Sequence, residues 1–253
     1  MADSLDLFRA DVLMGVPHGF LGRGGGVSEG VVAGLNVGLG AGDDGEAVAE
    51  NRRRAVAGVL PGARLATVYQ VHSPDAVEVT EPWPDAERPH ADALVTATPG
   101  LLLGIVTADC APILLAEPDA GVIGAAHAGW KGAHGGVIES TVAAMERLGA
   151  RRSGIVAAIG PCIAQPSYEV DEGFHARFGR DDAEFFVPGR EGHYQFDLEN
   201  YVASRLAAAG IGGMERLGLD TYADETRFFS FRCAIHRGEP AYGRQFSLIG
   251  LPF

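Results

Sequence analysis

The sequence predicts a mixed α/β fold on three observations. Short continuous apolar runs, broken by Gly, Pro or Asp, recur through the middle of the chain, which is the pattern of strands covered on both faces. Stretches with apolar residues at helical spacing lie between and around those runs. At 253 residues and 47% hydrophobic content, the chain is long enough to bury one sizeable core, and residues 1–253 are expected to form a single domain.

The elements follow in order. The first forty residues are Gly-rich, yet Phe20, Val27, Leu35 and Val37 are spaced among the glycines, so short strands and tight turns are expected there rather than a linker. A helix is predicted over 46–60, where Val48, Ala55, Val56 and Val59 share a face and Pro61-Gly62 ends the run. Strands are predicted over 65–71, 76–80, 101–107, 113–116 and 122–126. A second helix carries Ile138, Val142, Met145 and Leu148, and a third carries Leu198, Tyr201, Val202, Leu206 and Ala209. A strand over 155–159 separates these two, and a last strand runs over 246–251. No fixed-period repeat or compositional break divides the chain.

Charge and composition narrow the function classes. The balance of 20 Lys+Arg against 33 Asp+Glu gives a formal charge of −13, which repels nucleic-acid phosphates and anionic lipid. The only basic run, Arg52-Arg53-Arg54, sits inside the first helical pattern. The N-terminus, Met1-Ala2-Asp3-Ser4-Leu5-Asp6, lacks the basic and apolar regions of a signal peptide, and no apolar run approaches a bilayer span. A soluble cytoplasmic enzyme acting on a small molecule, with no nucleic-acid or membrane partner, is expected. Cys110, Cys162 and Cys233 are too few for a disulfide framework, so each is a thiol, a ligand or a nucleophile.

Three segments place reactive side chains at predicted strand ends. Gln70-Val71-His72 closes a strand, which sends Gln70 and His72 out of one face. In Thr107-Ala108-Asp109-Cys110-Ala111-Pro112 the proline is expected to stop the ladder and leave Asp109 and Cys110 in a turn. His127-Ala128-Gly129-Trp130-Lys131-Gly132 lies between a strand and a helix, where ligands bind in open α/β sheets. His72, Cys110 and His127 form a borderline-soft ligand set that suits Zn²⁺ with one position open, and such an ion lowers the pKa of a water towards about 7. Two other readings stand beside it. The three can be ordinary core residues, or Cys110 can be a nucleophile with His127 as its base.

Taken together, these segments resemble the YfiH-like family, also called laccase-domain or multicopper polyphenol oxidoreductase proteins and purine nucleoside phosphorylases. The resemblance covers almost the whole chain. It runs through His18-Gly19-Phe20, Arg23, Gly25-Gly26-Val27-Ser28, Leu35-Asn36-Val37-Gly38, Asn51-Arg52, Gln70-Val71-His72 and Ala91-Asp92-Ala93-Leu94-Val95-Thr96. It continues through Thr107-Ala108-Asp109-Cys110, His127-Ala128-Gly129-Trp130-Lys131-Gly132, Gly160-Pro161-Cys162-Ile163, Phe229-Ser230-Phe231-Arg232 and Gly243-Arg244-Gln245.

The resemblance implies an α/β/β/α sandwich of mixed sheets flanked by helices, similar to the deamidase domain of cytotoxic necrotizing factor. It implies zinc ligation by His72, Cys110 and His127, with copper the other metal to consider. The implied activity is phosphorolysis of adenosine, inosine, guanosine and methylthioadenosine, with deamination of adenosine. The alternatives are an amidase that removes L-Ser from UDP-MurNAc-L-Ser and a laccase-like polyphenol oxidase. A multicopper site needs several more His than the motifs of this chain supply. Asp109 is the nearest carboxylate for proton transfer, or a turn-stabilising residue. Arg23 and Arg232 are the candidate phosphate ligands, and Gln70 and Trp130 candidate walls of the substrate site. Cys162 is expected to be buried and His134 to lie in a loop. Two departures from the family pattern are Asp220, where Cys is common before Thr221, and Cys233, where a second Arg follows Arg232; the loop 233–242 also looks long.

Overall fold

The structure, a computed structural model, describes residues 4–253, so the first three residues of the acidic N-terminal segment lie outside it. The N-terminal part contains β1 (Leu7–Phe8), β2 (His18–Leu21), α1 (Gly45–Val59), β3 (Arg64–Thr67), β4 (Ala76–Glu78) and β5 (Ala93–Thr96). The centre contains β6 (Leu101–Thr107), β7 (Ala111–Glu117), β8 (Val122–Ala128), α2 (Trp130–Gly135), α3 (Val137–Arg147) and β9 (Val156–Ile159). Then follow β10 (Glu169–Asp171), α4 (Glu172–His175), β11 (Phe186–Pro188), β12 (His193–Phe196), α5 (Leu198–Ala208), β13 (Gly213–Arg216), α6 (Phe231–Arg237) and β14 (Gln245–Gly250).

Two mixed sheets are stacked. One has the order β1-β2-β14-β6-β3 and the other β13-β9-β7-β8-β5-β4, while β10-β12-β11 forms a small antiparallel sheet. Alternation along the central strands builds the layers. Leu101, Leu103 and Ile105 of β6 meet Leu114 and Ala116 of β7 between the sheets. Leu102 instead packs with Phe246, Leu248 and Ala55 under α1. Ile113 and Leu115 turn the other way, to Val142 and Met145 of α3 and Val202 and Leu206 of α5. The α/β/β/α sandwich is thus written in the period-2 alternation of strands that are apolar on both faces.

Local chemistry fixes the element that frames the site. The Asp44 carboxylate caps α1 by accepting from the amides of Glu46 and Ala47, worth about 1 kcal/mol. Asn51, fully buried on α1, donates to Ser28 Oγ and to the carbonyls of Gly34 and Asn36, and accepts from Val27 N. This one side chain fastens the Gly-rich segment to the helix. Gly34 is required there, because its φ is +111° and a Cβ would stand 2.1 Å from the Arg23 carbonyl oxygen.

Several expected boundaries are corrected. The strand expected over 65–71 stops at Thr67, and Pro112 lies inside β7, opposite His127, instead of ending the ladder. Proline is tolerated because this first stretch of β7 pairs through the residues around it, and the Pro112 carbonyl still accepts from Gly160 N. The strand expected over 122–126 runs on to Ala128, so His127 sits within it. His134 belongs to α2 rather than a loop, and half of the loop expected over 233–242 is α6. The small sheet, β5 and β13 carry no period strong enough to have announced them. No helix of the described residues is long and apolar enough to cross a membrane.

Candidate metal centre

The chain crosses from one sheet to the other in three residues, Ala108-Asp109-Cys110, between β6 and β7. Asp109 takes a left-handed φ of +85° to do so, a conformation that costs a non-glycine residue about 1–3 kcal/mol. The turn is held by Asp109 itself, whose buried carboxylate accepts from the Thr221 hydroxyl and from Arg232 N, both at 2.7 Å. Burial pushes its pKa up, against the lowering effect of those hydrogen bonds. Thr221 is positioned by Asp220, which accepts from Ala164 N, Ser167 Oγ and Tyr222 N. Asp220 therefore stitches two loops together without touching the ligands.

His72 also adopts a left-handed φ, +61°, in the bend beyond β3. It does not continue a strand as expected. The bend is clamped by Asp92, a fully buried residue that sequence reasoning did not single out: Asp92 Oδ2 accepts from Val71 N at 3.1 Å, Ser73 N at 2.6 Å and Ser73 Oγ at 3.0 Å. The other oxygen accepts from His127 Nδ1 at 2.7 Å. One carboxylate thus orients both histidines and leaves His127 Nε2 free. A lone acid inside the apolar run Ala91-Asp92-Ala93-Leu94-Val95 is the signal that could have revealed it.

His72, Cys110 and His127 come together as expected, each offering one ligand atom, with all three atoms within 4.8 Å of one another. Cys110 Sγ lies 3.8 Å from His72 Nε2. Tetrahedral ligation at about 2.0–2.3 Å puts donors about 3.5 Å apart, so the set closes on an ion with small side-chain shifts. Gly129 is part of the cradle: a Cβ there would stand 2.8 Å from both Cys110 Sγ and His72 Cδ2. The donor set and the carboxylate behind His127 both fit a transition metal such as zinc.

The same neighbours set the charges. Burial pushes the Cys110 thiol up, but the charge and hydrogen bond of His127, with those of His72, outweigh it and bring the pKa down to about 6. Burial pushes His127 down, while Cys110 and Asp92 hold its proton and raise it to about 9. Burial raises Asp92, yet the His127 hydrogen bond and charge leave it at about 2. Without an ion the pair is thiolate and imidazolium, and the thiolate is the form a metal takes up.

The trio stands where two cavities meet. The larger, about 380 Å³, is lined by Arg52, Arg88, Arg244, Gln70, Thr107 and Tyr242 together with the three ligands, and among the described residues no Asp or Glu lines it. The smaller, about 250 Å³, has Trp130, Tyr168, Ile163, Lys131, Asp109 and Arg232 on its walls, and shares His72, Cys110 and Phe231 with the first. Trp130 opens α2 and packs on Phe174, with ring centroids 4.7 Å apart, at the edge of the aromatic cluster above the small sheet. Arg232 lies in the first turn of α6; its guanidinium donates to the Glu169 carbonyl and covers the Tyr168 ring. Gln70 reaches the wall of the larger cavity, but its amide is spent on both the N–H and the carbonyl of Val106.

Arg23 is a correction. It donates to the carbonyls of Glu225 and Ala33, lies over Phe229 and lines a separate cavity of about 190 Å³. It ties loops together and is not brought to the trio. The guanidiniums that are brought there, Arg52, Arg88 and Arg244, were not proposed for the site from sequence: Arg52 and Arg244 stand in segments that carry the family resemblance, but nothing in their spacing along the chain says that they meet. Cys162 is buried, as expected, and burial raises its pKa well above the usual thiol value.

Comparison with known proteins agrees with this architecture. The family described as "Multi-copper polyphenol oxidoreductase laccase" matches residues 17–252. A protein of Deinococcus radiodurans named purine nucleoside phosphorylase is 44% identical over 254 residues, covering 99% of this chain and 95% of that one. A purine nucleoside phosphorylase of Corynebacterium glutamicum is 36% identical over 241 residues, covering 92% and 93%. Among solved structures, YlmD from Geobacillus stearothermophilus superposes with a TM-score of 0.87 at 33% identity, covering 96% and 94% of the two chains. A Bacillus licheniformis protein, YfiH, gives 0.86 at 30% identity, covering 99% and 98%.

Proposed function

The chain belongs to the multi-copper polyphenol oxidoreductase laccase family, and from that premise we propose that it is a zinc-dependent purine nucleoside phosphorylase that also deaminates adenosine. The observation that carries the reading is the His72–Cys110–His127 donor set beside a cavity lined by three arginines and, among the described residues, no carboxylate. The relatives named purine nucleoside phosphorylase over nearly the whole chain support it.

In phosphorolysis, a phosphate oxygen forms a bond to C1′ of the nucleoside while the bond from C1′ to the purine N9 breaks. The electron pair leaves with the base, which takes up a proton, and the products are ribose 1-phosphate and free purine. In deamination, water adds to C6 of adenine and ammonia leaves. A zinc ion held by His72, Cys110 and His127 supplies Lewis acidity to this centre. Asp92 holds His127 with its free nitrogen towards the site, and the buried Asp109, with its raised pKa, is placed to carry a proton on the side of the smaller cavity. Trp130 and Arg232 offer a flat wall and a cation for the purine on that side, and Gln70 shapes the opposite wall. Three free thiols fit a reducing, cytoplasmic setting.

The test is incubation of the purified protein with adenosine, inosine or guanosine and phosphate, metal-loaded and chelated, with chromatography of the products. Free base and ribose 1-phosphate should form and be lost on chelation. Absence of turnover in every metal state refutes the reading. The low Cys110 pKa, about 6, favours one second reading, an amidase with Cys110 as nucleophile and His127 as base. Hydrolysis of UDP-MurNAc-L-Ser that survives complete metal removal would select it. A polyphenol oxidase is disfavoured because the described residues bring together a single three-donor group, where multicopper chemistry needs several.

A further inference from the structure

We infer that the arginine wall of the larger cavity is a subsite for a phosphate dianion, built from Arg52, Arg88, Arg244 and the Thr107 hydroxyl. The inference rests on the phosphorylase reading only for the role of the anion; the site itself is argued from its own atoms.

Four buried side-chain polar atoms have no protein partner among the described residues, and two of them are Arg52 Nε and Thr107 Oγ1. Both residues line this cavity. Leaving a buried donor unpaired costs about 1–3 kcal/mol, more for a charged group, so two on one cavity wall mark a place where a ligand accepts hydrogen bonds. Arg52 is held rigidly for that purpose: its terminal nitrogens engage Asp85 and Thr67, and its guanidinium lies over the Phe246 ring. Arg88 is fixed beside it by the carbonyl of Asp85 and a longer contact to that of Val68. Arg244 donates to the Tyr242 hydroxyl and stacks on that ring, with no carboxylate partner among the described residues.

The charge count points the same way. Among the described residues Asp85, largely exposed, is the only acid paired with these three cations, which leaves an excess of about two positive charges on a chain of formal charge −13. Guanidiniums pre-oriented by stacking and carbonyl contacts suit the oxygens of a tetrahedral dianion. Three guanidiniums balanced by one exposed carboxylate beside a metal centre recruit an anion rather than stabilise the fold. Orthophosphate and the 5′-phosphate of a nucleotide share this chemistry.

The experiment is calorimetric titration of the metal-loaded protein with inorganic phosphate and, separately, with inosine 5′-monophosphate. It is run on wild type, Arg52→Gln, Thr107→Val and Arg244→Gln, with Arg53→Gln, an exposed position one residue from Arg52, as control. Thr107→Val keeps the shape and removes only the hydroxyl, so it remains readable if Arg52→Gln fails to fold. At least a tenfold weakening in the cavity variants and none in the control is expected, and the ligand affected identifies the source of the dianion. Failure of both ligands to bind wild type, or cavity variants that bind like wild type, overturns the subsite. Arg52-dependent phosphate binding without any nucleoside turnover would keep the subsite and refute the phosphorylase reading instead.

Discussion

Replacing Gly129 by alanine adds one methyl group at the back of the metal centre. Its backbone, φ −66° and ψ 161°, is open to any L-residue, so the substitution carries no backbone strain. The effect is steric. The new Cβ would stand 2.8 Å from Cys110 Sγ, 2.8 Å from His72 Cδ2 and 3.3 Å from His72 Nε2, which is about 1 Å inside ordinary contact for the first two. Two of the three ligand side chains must therefore move together, by a distance that is a large part of a metal–ligand bond of about 2.0–2.3 Å. Metal affinity should fall about 10–100-fold, as when an outer support of a metal site is lost. The metal-free protein should change by less than about 1 kcal/mol, because reduced chain freedom opposes the loss of a glycine helix cap. Competition against a chromophoric chelator measures the first quantity and thermal unfolding of the chelated protein the second. Affinity within twofold of wild type would refute the assignment of Gly129 to the ligand cradle.

Three further outcomes follow from the geometry. Asp92→Asn cannot accept from His127 Nδ1 on one side and from three donors at Val71 and Ser73 on the other, because one end of the amide is itself a donor; metal affinity should drop about 10–100-fold, and unchanged affinity by chelator competition would sink the clamp. In the chelated protein, Cys110 should be alkylated at a rate that rises with pH through about 6 and then levels off, whereas a midpoint near 8–9 contradicts the thiolate–imidazolium pair. Because the Cys110 pKa is lowered from 9.0 to about 6, its contribution to metal-free stability is lost as pH falls through about 6, whereas that of His127, raised from 6.5 to about 9, is lost as pH rises through about 9, so the pair stabilises the fold most between those two values. Leu114→Ala, which empties a fully buried position between the two large sheets, should cost about 2–5 kcal/mol in denaturant unfolding while leaving the affinity per folded molecule for metal unchanged; a cost below about 1 kcal/mol would argue against close packing there.

Much of this protein was legible in one dimension. The helices at α1, α3 and α5 follow from apolar residues at helical spacing, and β6 to β9 and β14 from short apolar runs, because those periods are set by backbone geometry alone. The ligand types at His72, Cys110 and His127 could be named because soft and borderline donors in a chain with few thiols are chemically distinctive. Tertiary structure decided what no local pattern encodes. It put two ligands beside left-handed residues or in a left-handed bend, at His72 and Asp109, conformations that neither residue prefers and that only Asp92, Thr221 and the α6 N-terminus enforce. It sent Arg23 to a separate cavity and gathered Arg52, Arg88 and Arg244, 192 positions apart at the extremes, onto one wall. A charge's field depends on distance in space, and the folding of two stacked sheets sets that distance without leaving a trace in the spacing of the residues along the chain.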